Sequence, residues 1–257
     1  MKSFAASALT GTLALVAFGL AGCEKGPEAA AQTGTVALQL ASVVGTAPLD
    51  LSATTYRNAN GDTFTVSTFK YYVSNVTLRR TDNSTYLVPD SYFLVDQDNP
   101  GTRELKLTGV PVGEYTSISF TVGVDSARTK SGNYPGVLNA SNGMFWDMNG
   151  PEFINLKLEG RSPQSPRAGL VFHIAGYKRV STNTIRTVSL PFPAAKLAVR
   201  ANHSATIHAK ADVLKLFTGP HPIRFADVYN EMGGATTAKM ADNIAAGMFS
   251  VEHVMAH

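Results

Sequence analysis

The segment "GMFWDMNGPEF", residues 143–153, holds the only tryptophan of the chain, Trp146, between the thioethers of Met144 and Met148. Gly143, Asn149, Gly150 and Pro151 surround it, and these residue types favour a turn over the interior of a regular element. Indole offers a metal no free lone pair, so taken alone Trp146 suits an aromatic cap on the rim of a core. Histidine is the other residue type with chemistry to offer. Five of the six histidines stand at or beyond position 203, and the sixth is His173. His253 and His257 are four residues apart. On a helix that spacing sets both imidazoles on one face, close enough to share a metal ion; on a frayed terminus the pair is merely polar. His173 alternates with Phe172 and Ile174 in an apolar run, which suits either a hydrogen-bonded structural residue or a ligand. His203 and His208 fall on opposite faces of one strand and do not chelate one ion together. His221 in "GPHPI" reads as a loop residue. Asp125 and Ser126 in "GVDSARTKSGNY" read as a capped turn rather than a catalytic acid and hydroxyl.

No enzyme signature accompanies these residues. The sequence has no Gly-x-Ser-x-Gly, no His-Glu-x-x-His and no glycine-rich phosphate loop. The expectation is a binding protein, not an enzyme.

The elements that must position these side chains follow period two from residue 35 onward. "TVALQLASV" puts Val36, Leu38 and Leu40 on one face, and "EFINLKLEG" does so with Ile154, Leu156 and Leu158. "FKYYVSNVTLRR" sets Tyr71, Val73 and Asn75 against Tyr72, Ser74, Val76 and Leu78. "GLVFHIAGY" sets Leu170, Phe172 and Ile174 against Val171 and His173. Such runs, separated by Gly, Pro, Asn and Asp, predict an all-β fold, an antiparallel β-sandwich. Near the end the period changes. Met240, Ile244, Met248, Val251 and Met255 fall at helical spacing, which predicts a short helical segment over about 235–254.

The amino terminus has a different composition. Lys2, the apolar run "FAASALTGTLALVAFGL" and the ending "LAGC" at Cys23 form an export signal, too short and too small-residue-rich at its end for a membrane span. The ending matches a lipobox, which implies cleavage before Cys23 and a diacylglycerol on its sulfur. Residues 1–22 are then a lipoprotein signal peptide, 23–34 a lipidated polar tether, and 35–257 the folded domain. Glu24 follows the cysteine, and by resemblance to enterobacterial sorting the lack of Asp there favours the outer membrane, facing the periplasm or the cell surface. Cys23 is the only cysteine, so with it lipidated no cysteine remains for an intramolecular disulfide or a thiolate metal site. The formal charge of +3 and the lack of a dense Lys/Arg cluster argue against nucleic acid as a partner.

Several segments in order, "FKYYVSNVTL", "VPVGEYTSISFTVGVDS", "SGNYPGVLNASNGMFWDMNGPEFINLKLEG", "VFHIAG" and "MADNIAAGMFSVEHVMAH", resemble the MbnP-like family of bacterial periplasmic proteins and lipoproteins. The resemblance runs from about residue 35 to the end. It extends to copper-binding proteins of methane oxidisers called MopE and CorA, in which a tryptophan is oxidised to kynurenine and that product binds copper together with histidines. The resemblance implies copper, as Cu(I), as the bound metal, and a di-haem cytochrome c peroxidase of the MauG or MbnH type as a partner. It implies Trp146, Met148 and His173 as the metal site, with His253 and His257 able to close it. Ring opening of the indole would yield an aryl amine, and amine, thioether and imidazole all suit Cu(I). In the best-known relatives a histidine lies two residues beyond the modified tryptophan; here that position is Met148. Either a thioether replaces the imidazole, or Trp146 is kept without that copper site. Two other readings remain: a β-sandwich interaction module for protein or glycan, and a protein substrate of the peroxidase with no copper role.

Overall fold

The alternating runs form strands, and the strands form two sheets. The computed structural model describes residues 1, 32–148, 150–193 and 196–256. Residues 2–22 of the expected signal peptide, Cys23, the tether up to residue 31, and His257 lie outside the described residues. In chain order the strands are β1 (Thr33–Val44), β2 (Ala47–Pro48), β3 (Tyr56–Arg57), β4 (Thr63–Arg80), β5 (Thr85–Leu87), β6 (Tyr92–Asp96), β7 (Glu104–Pro111) and β8 (Gly113–Val122). After the short helix α1 (Ser126–Lys130) come β9 (Phe145–Trp146), β10 (Glu152–Arg161), β11 (Gly169–Ala175), β12 (Arg186–Pro191), β13 (Leu197–Val199), β14 (Ser204–Asp212) and β15 (Asn230–Met232). Helix α2 (Ala235–Gly247) and β16 (Phe249–Ala256) follow.

The first sheet runs β16-β14-β1-β2, with β7 also paired to β1; the second runs β12-β8-β4-β10-β11-β15, with the shorter strands added along it. Val36, Leu38, Leu40, Ile207 and Ala209 from the first share one buried cluster with Phe69, Tyr71, Leu156, Leu158, Phe172 and Ile174 from the second. This is the expected sandwich. Most pairs are antiparallel, but β1–β14 and β11–β15 are parallel. Side-chain alternation is the same in both kinds of ladder, so the sequence pattern could not separate them.

Two departures bear on the site. Asn75 in β4 adopts φ 51, and the β4–β8 register shifts between Ser74 and Thr77. This irregularity resets the alternation, so Tyr71 and Val73 before it and Val76 and Leu78 after it all reach the main core. Tyr72 alternates with Tyr71 and faces the other way. It enters a second, smaller cluster with Leu94, Val124, Leu138, Met144, Phe153 and Ile154. The second departure is at the carboxyl end. Met240 and Ile244 are buried on α2 as expected, but the helix ends at Gly247, and Val251, His253 and Met255 lie on β16, antiparallel to β14. The expected helix over 235–254 is therefore a helix followed by a strand. Glycine is a poor helix residue, and the open edge of β14 supplies backbone partners that a longer helix would leave unmet.

Candidate metal site

Trp146 stands at the edge of the second cluster. Its neighbour Phe145 fixes the short strand β9 by packing on Tyr134 and Phe153, with ring centroids 5.2 and 5.1 Å away. Met144 is wholly buried in the same cluster, so it anchors the segment in the core. β9 pairs with the first residues of β10, Trp146 opposite Glu152. The indole Nε1–H donates to Glu152 Oε2 at 3.1 Å. Lys157 Nζ donates to the Gly143 carbonyl and ties the segment down to the sheet. Trp146 is thus a rim aromatic, and it is also held in one orientation.

Beneath it lies His173. On β11, Leu170, Phe172 and Ile174 point into the main core, which turns His173 to the outer face of the second sheet. The two rings have centroids 6.1 Å apart, tilted by 38°. His173 Nε2 lies 2.7 Å from Glu159 Oε1, and Thr68 Oγ1 donates to the other oxygen, Oε2, at 3.3 Å. The imidazole Nδ1 is buried and has no hydrogen-bond partner among the described residues.

Electrostatics assigns the proton. Burial lowers the His173 pKa below its ordinary value, and the opposing pull of Glu159 does not restore it. Burial alone would raise Glu159, but the His173 hydrogen bond, the charges of His173 and Lys157 and the Thr68 hydroxyl outweigh it and hold this carboxyl low. A neutral imidazole beside an ionised carboxylate must place its single proton on Nε2, because the carboxylate only accepts. That leaves Nδ1 with a bare lone pair in a dry setting. A ligand imidazole whose other nitrogen is hydrogen-bonded to a carboxylate is the usual arrangement at protein metal sites. Gly160, next to Glu159, is part of the same construction. A side chain there would put Cβ 2.0 Å from the Thr65 carbonyl oxygen, so only glycine permits β10 to approach β4 this closely.

Two thioethers stand at the rim. Met148 is 84% exposed. Met232, on β15, is the register partner of His173 in the parallel edge pair and is also exposed. Trp146, Met148, Glu152 and Met232 line a cleft of about 130 Å³. Sequence reasoning missed Met232 and Glu159. Met232 sits in "NEMGG", too short a run to show any period, and Glu159 is one polar position among several in "LKLEG".

The structure does not bring His253 to this place. His253 is on β16 of the first sheet, where it stacks on His208, and the helical face expected to carry His253 and His257 together does not exist at His253. Asp125 caps α1 by accepting from the Arg128 N–H at 2.9 Å, as its turn setting predicts. Among the described residues no three His, Cys, Asp or Glu side chains converge on one point. Around Trp146 stand one imidazole, two thioethers and the Glu152 carboxylate that accepts from the indole; the imidazole and the thioethers suit Cu(I) better than a hard divalent cation.

A family model described as MbnP matches residues 33–237. The chain belongs to the MbnP family. The matched span includes Trp146, Met148, His173 and Met232 and stops before His253. A solved structure, MbnP from Methylosinus trichosporium, is similar to this chain with a TM-score of 0.52 and 12% sequence identity, covering 88% of this chain and 99% of that one. At that identity the likeness speaks for the shared MbnP fold. No curated protein sequence matches the chain.

Proposed function

We propose that this MbnP-family protein is a copper-binding protein, not an enzyme. It holds copper as Cu(I) between Trp146 and His173, in copper acquisition or handling. The observation that carries this reading is the buried, unpartnered Nδ1 of His173, fixed by the Nε2–Glu159 bond and overlooked by Trp146. His173 would supply the imidazole donor, and Met148 and Met232 the thioethers. The bound metal would supply a soft, low-coordinate centre that needs only two to four donors of this type. Glu159 keeps the His173 lone pair free, and Lys157 and Phe145 hold the segment bearing Trp146 in place.

The reading extends to Trp146 itself. Oxidation to kynurenine by a di-haem cytochrome c peroxidase partner would add an aryl amine donor at the edge of the same cleft. The protein is anchored in the bacterial envelope through lipid on Cys23 and faces the periplasm or the cell surface. The Cys23→Ser variant should release soluble protein or leave unprocessed precursor; an unchanged, membrane-bound product would remove the anchor from this reading.

Cu(I) titration against a competing chelator tests the centre of the proposal. Protein from its native host should bind one copper ion, and His173→Ala should abolish the tight site. Equal affinities would remove His173. Absence of binding in native protein, with an intact-mass measurement showing unmodified Trp146, would favour an interaction module in which Met148, Met232 and Trp146 form a contact surface.

A further inference from the structure

The outer face of the first sheet carries its own row of polar side chains. His253 on β16 is opposite His208 on β14, His208 is level with Gln39 on β1, and Gln39 with Glu104 on β7. The two imidazoles are stacked, with centroids 4.2 Å apart and planes 16° from parallel. The register shifts between His208 and Ala209, so β16 contributes an extra residue there, Glu252. Its carboxylate lies 3.6 Å from Lys210 Nζ, and Lys210 shares the face of His208. Glu252, His208, Gln39, Arg103 and Glu104 line a cleft of about 310 Å³.

We infer that His208 and His253 form a second metal site, which takes a borderline divalent cation of the Cu2+ or Zn2+ kind. Metal–imidazole bonds of about 2.0–2.1 Å require the two donor nitrogens to approach within roughly 3 Å of each other. Directly opposed residues on antiparallel strands hold their Cβ atoms about 4.5–5.5 Å apart, which already brings two imidazoles to that range. The stacked rings need only turn about their side-chain torsions for one nitrogen of each to converge. Two imidazoles and a carboxylate favour a borderline divalent ion where the Trp146 site favours a soft monovalent one. Two imidazoles hold the ion; water, or Glu252 on leaving Lys210, completes its coordination. This site is independent of His173 and of the copper reading there.

The test is calorimetric titration of tag-free, full-length protein with Zn2+ and with Cu2+, together with electron paramagnetic resonance of the Cu2+ form. Wild type should show one divalent-ion site with two nitrogen ligands. His253→Ala should weaken it at least about tenfold and leave one imidazole in the spectrum. His173→Ala should leave it unchanged. His253 is exposed, so this variant should keep the thermal unfolding curve of wild type; His208→Gln gives a second, independent removal. Equal Zn2+ affinity in wild type and His253→Ala would overturn the inference. So would a loss produced by His257→Ala alone.

Discussion

Met144 and Met148 flank the same tryptophan and face opposite environments: Met144 is fully buried in the second cluster, and Met148 is 84% exposed at the rim of the cleft. Their substitutions should therefore separate stability from binding. Met144→Ala empties a packed position and should cost about 2–5 kcal/mol in urea unfolding. Met148→Ala should change stability by less than about 0.5 kcal/mol. Cu(I) affinity should fall for Met148→Leu and for Met232→Leu, and further for the pair. A Met148→Leu variant with wild-type Cu(I) affinity would take that thioether out of the site.

Glu159 should control which nitrogen of His173 is bare. In Glu159→Gln the new amide N–H can donate to Nε2, which would move the ring proton to Nδ1 and close the donor. Loss of such a supporting partner typically costs about 10–100-fold in metal affinity. Nitrogen chemical shifts of the His173 ring report the tautomer in metal-free protein, so the change should be visible without copper. An unchanged tautomer would show that Glu159 does not set it.

Acid should weaken the metal-free fold through His173. Its folded pKa lies below the ordinary value of 6.5 because burial opposes the charged ring. Between the two values the unfolded chain binds more protons, so stability falls as pH drops from 6.5 through the lower folded value. Above 6.5 the contribution is fully present. The urea midpoint of wild type should fall between pH 7 and pH 5 more steeply than that of His173→Gln. Parallel curves would show that the imidazole is not buried neutral.

Gly160→Ala should be costly without touching any ligand. The added Cβ meets the Thr65 backbone oxygen at 2.0 Å, which no side-chain rotation relieves. The strand must shift, and Glu159 shifts with it. Both the thermal midpoint and Cu(I) affinity should drop, whereas Gly132→Ala, with open space at its Cβ, should lower stability only through its φ of 70° and leave copper binding intact.

The sandwich was legible because its inward positions repeat every second residue, as in Leu170, Phe172 and Ile174. That same rule placed His173 on the outer face. It failed in β4, where Asn75 resets the alternation by a backbone conformation that residue identity alone does not announce. It failed again after Gly247, where spacings that fit a helix continue into a strand whose conformation is decided by pairing with β14. Trp146 and Met148 stood out as rare side chains in a turn-rich segment. Met232 could not, because its relation to His173 arises from a parallel edge contact between residues distant in sequence. The separation of His253 from Trp146 has the same origin: partners in a sheet are chosen by tertiary contact.

β1 is bonded to β7 on one side and to β14 on the other. A chain made from its amino terminus can place β7 early, but the second edge of β1 has no partner until residues 204–212 have emerged. Closing so long a loop costs entropy before any contact returns it, and folding dominated by such contacts is slow. Much of the second sheet can gather first, because β4, β6, β8 and β10 are neighbours along the chain and in space. The first sheet cannot be completed over it until β14 and then β16 arrive. The strand order therefore makes closure of the sandwich the late step of folding, waiting on the last quarter of the chain.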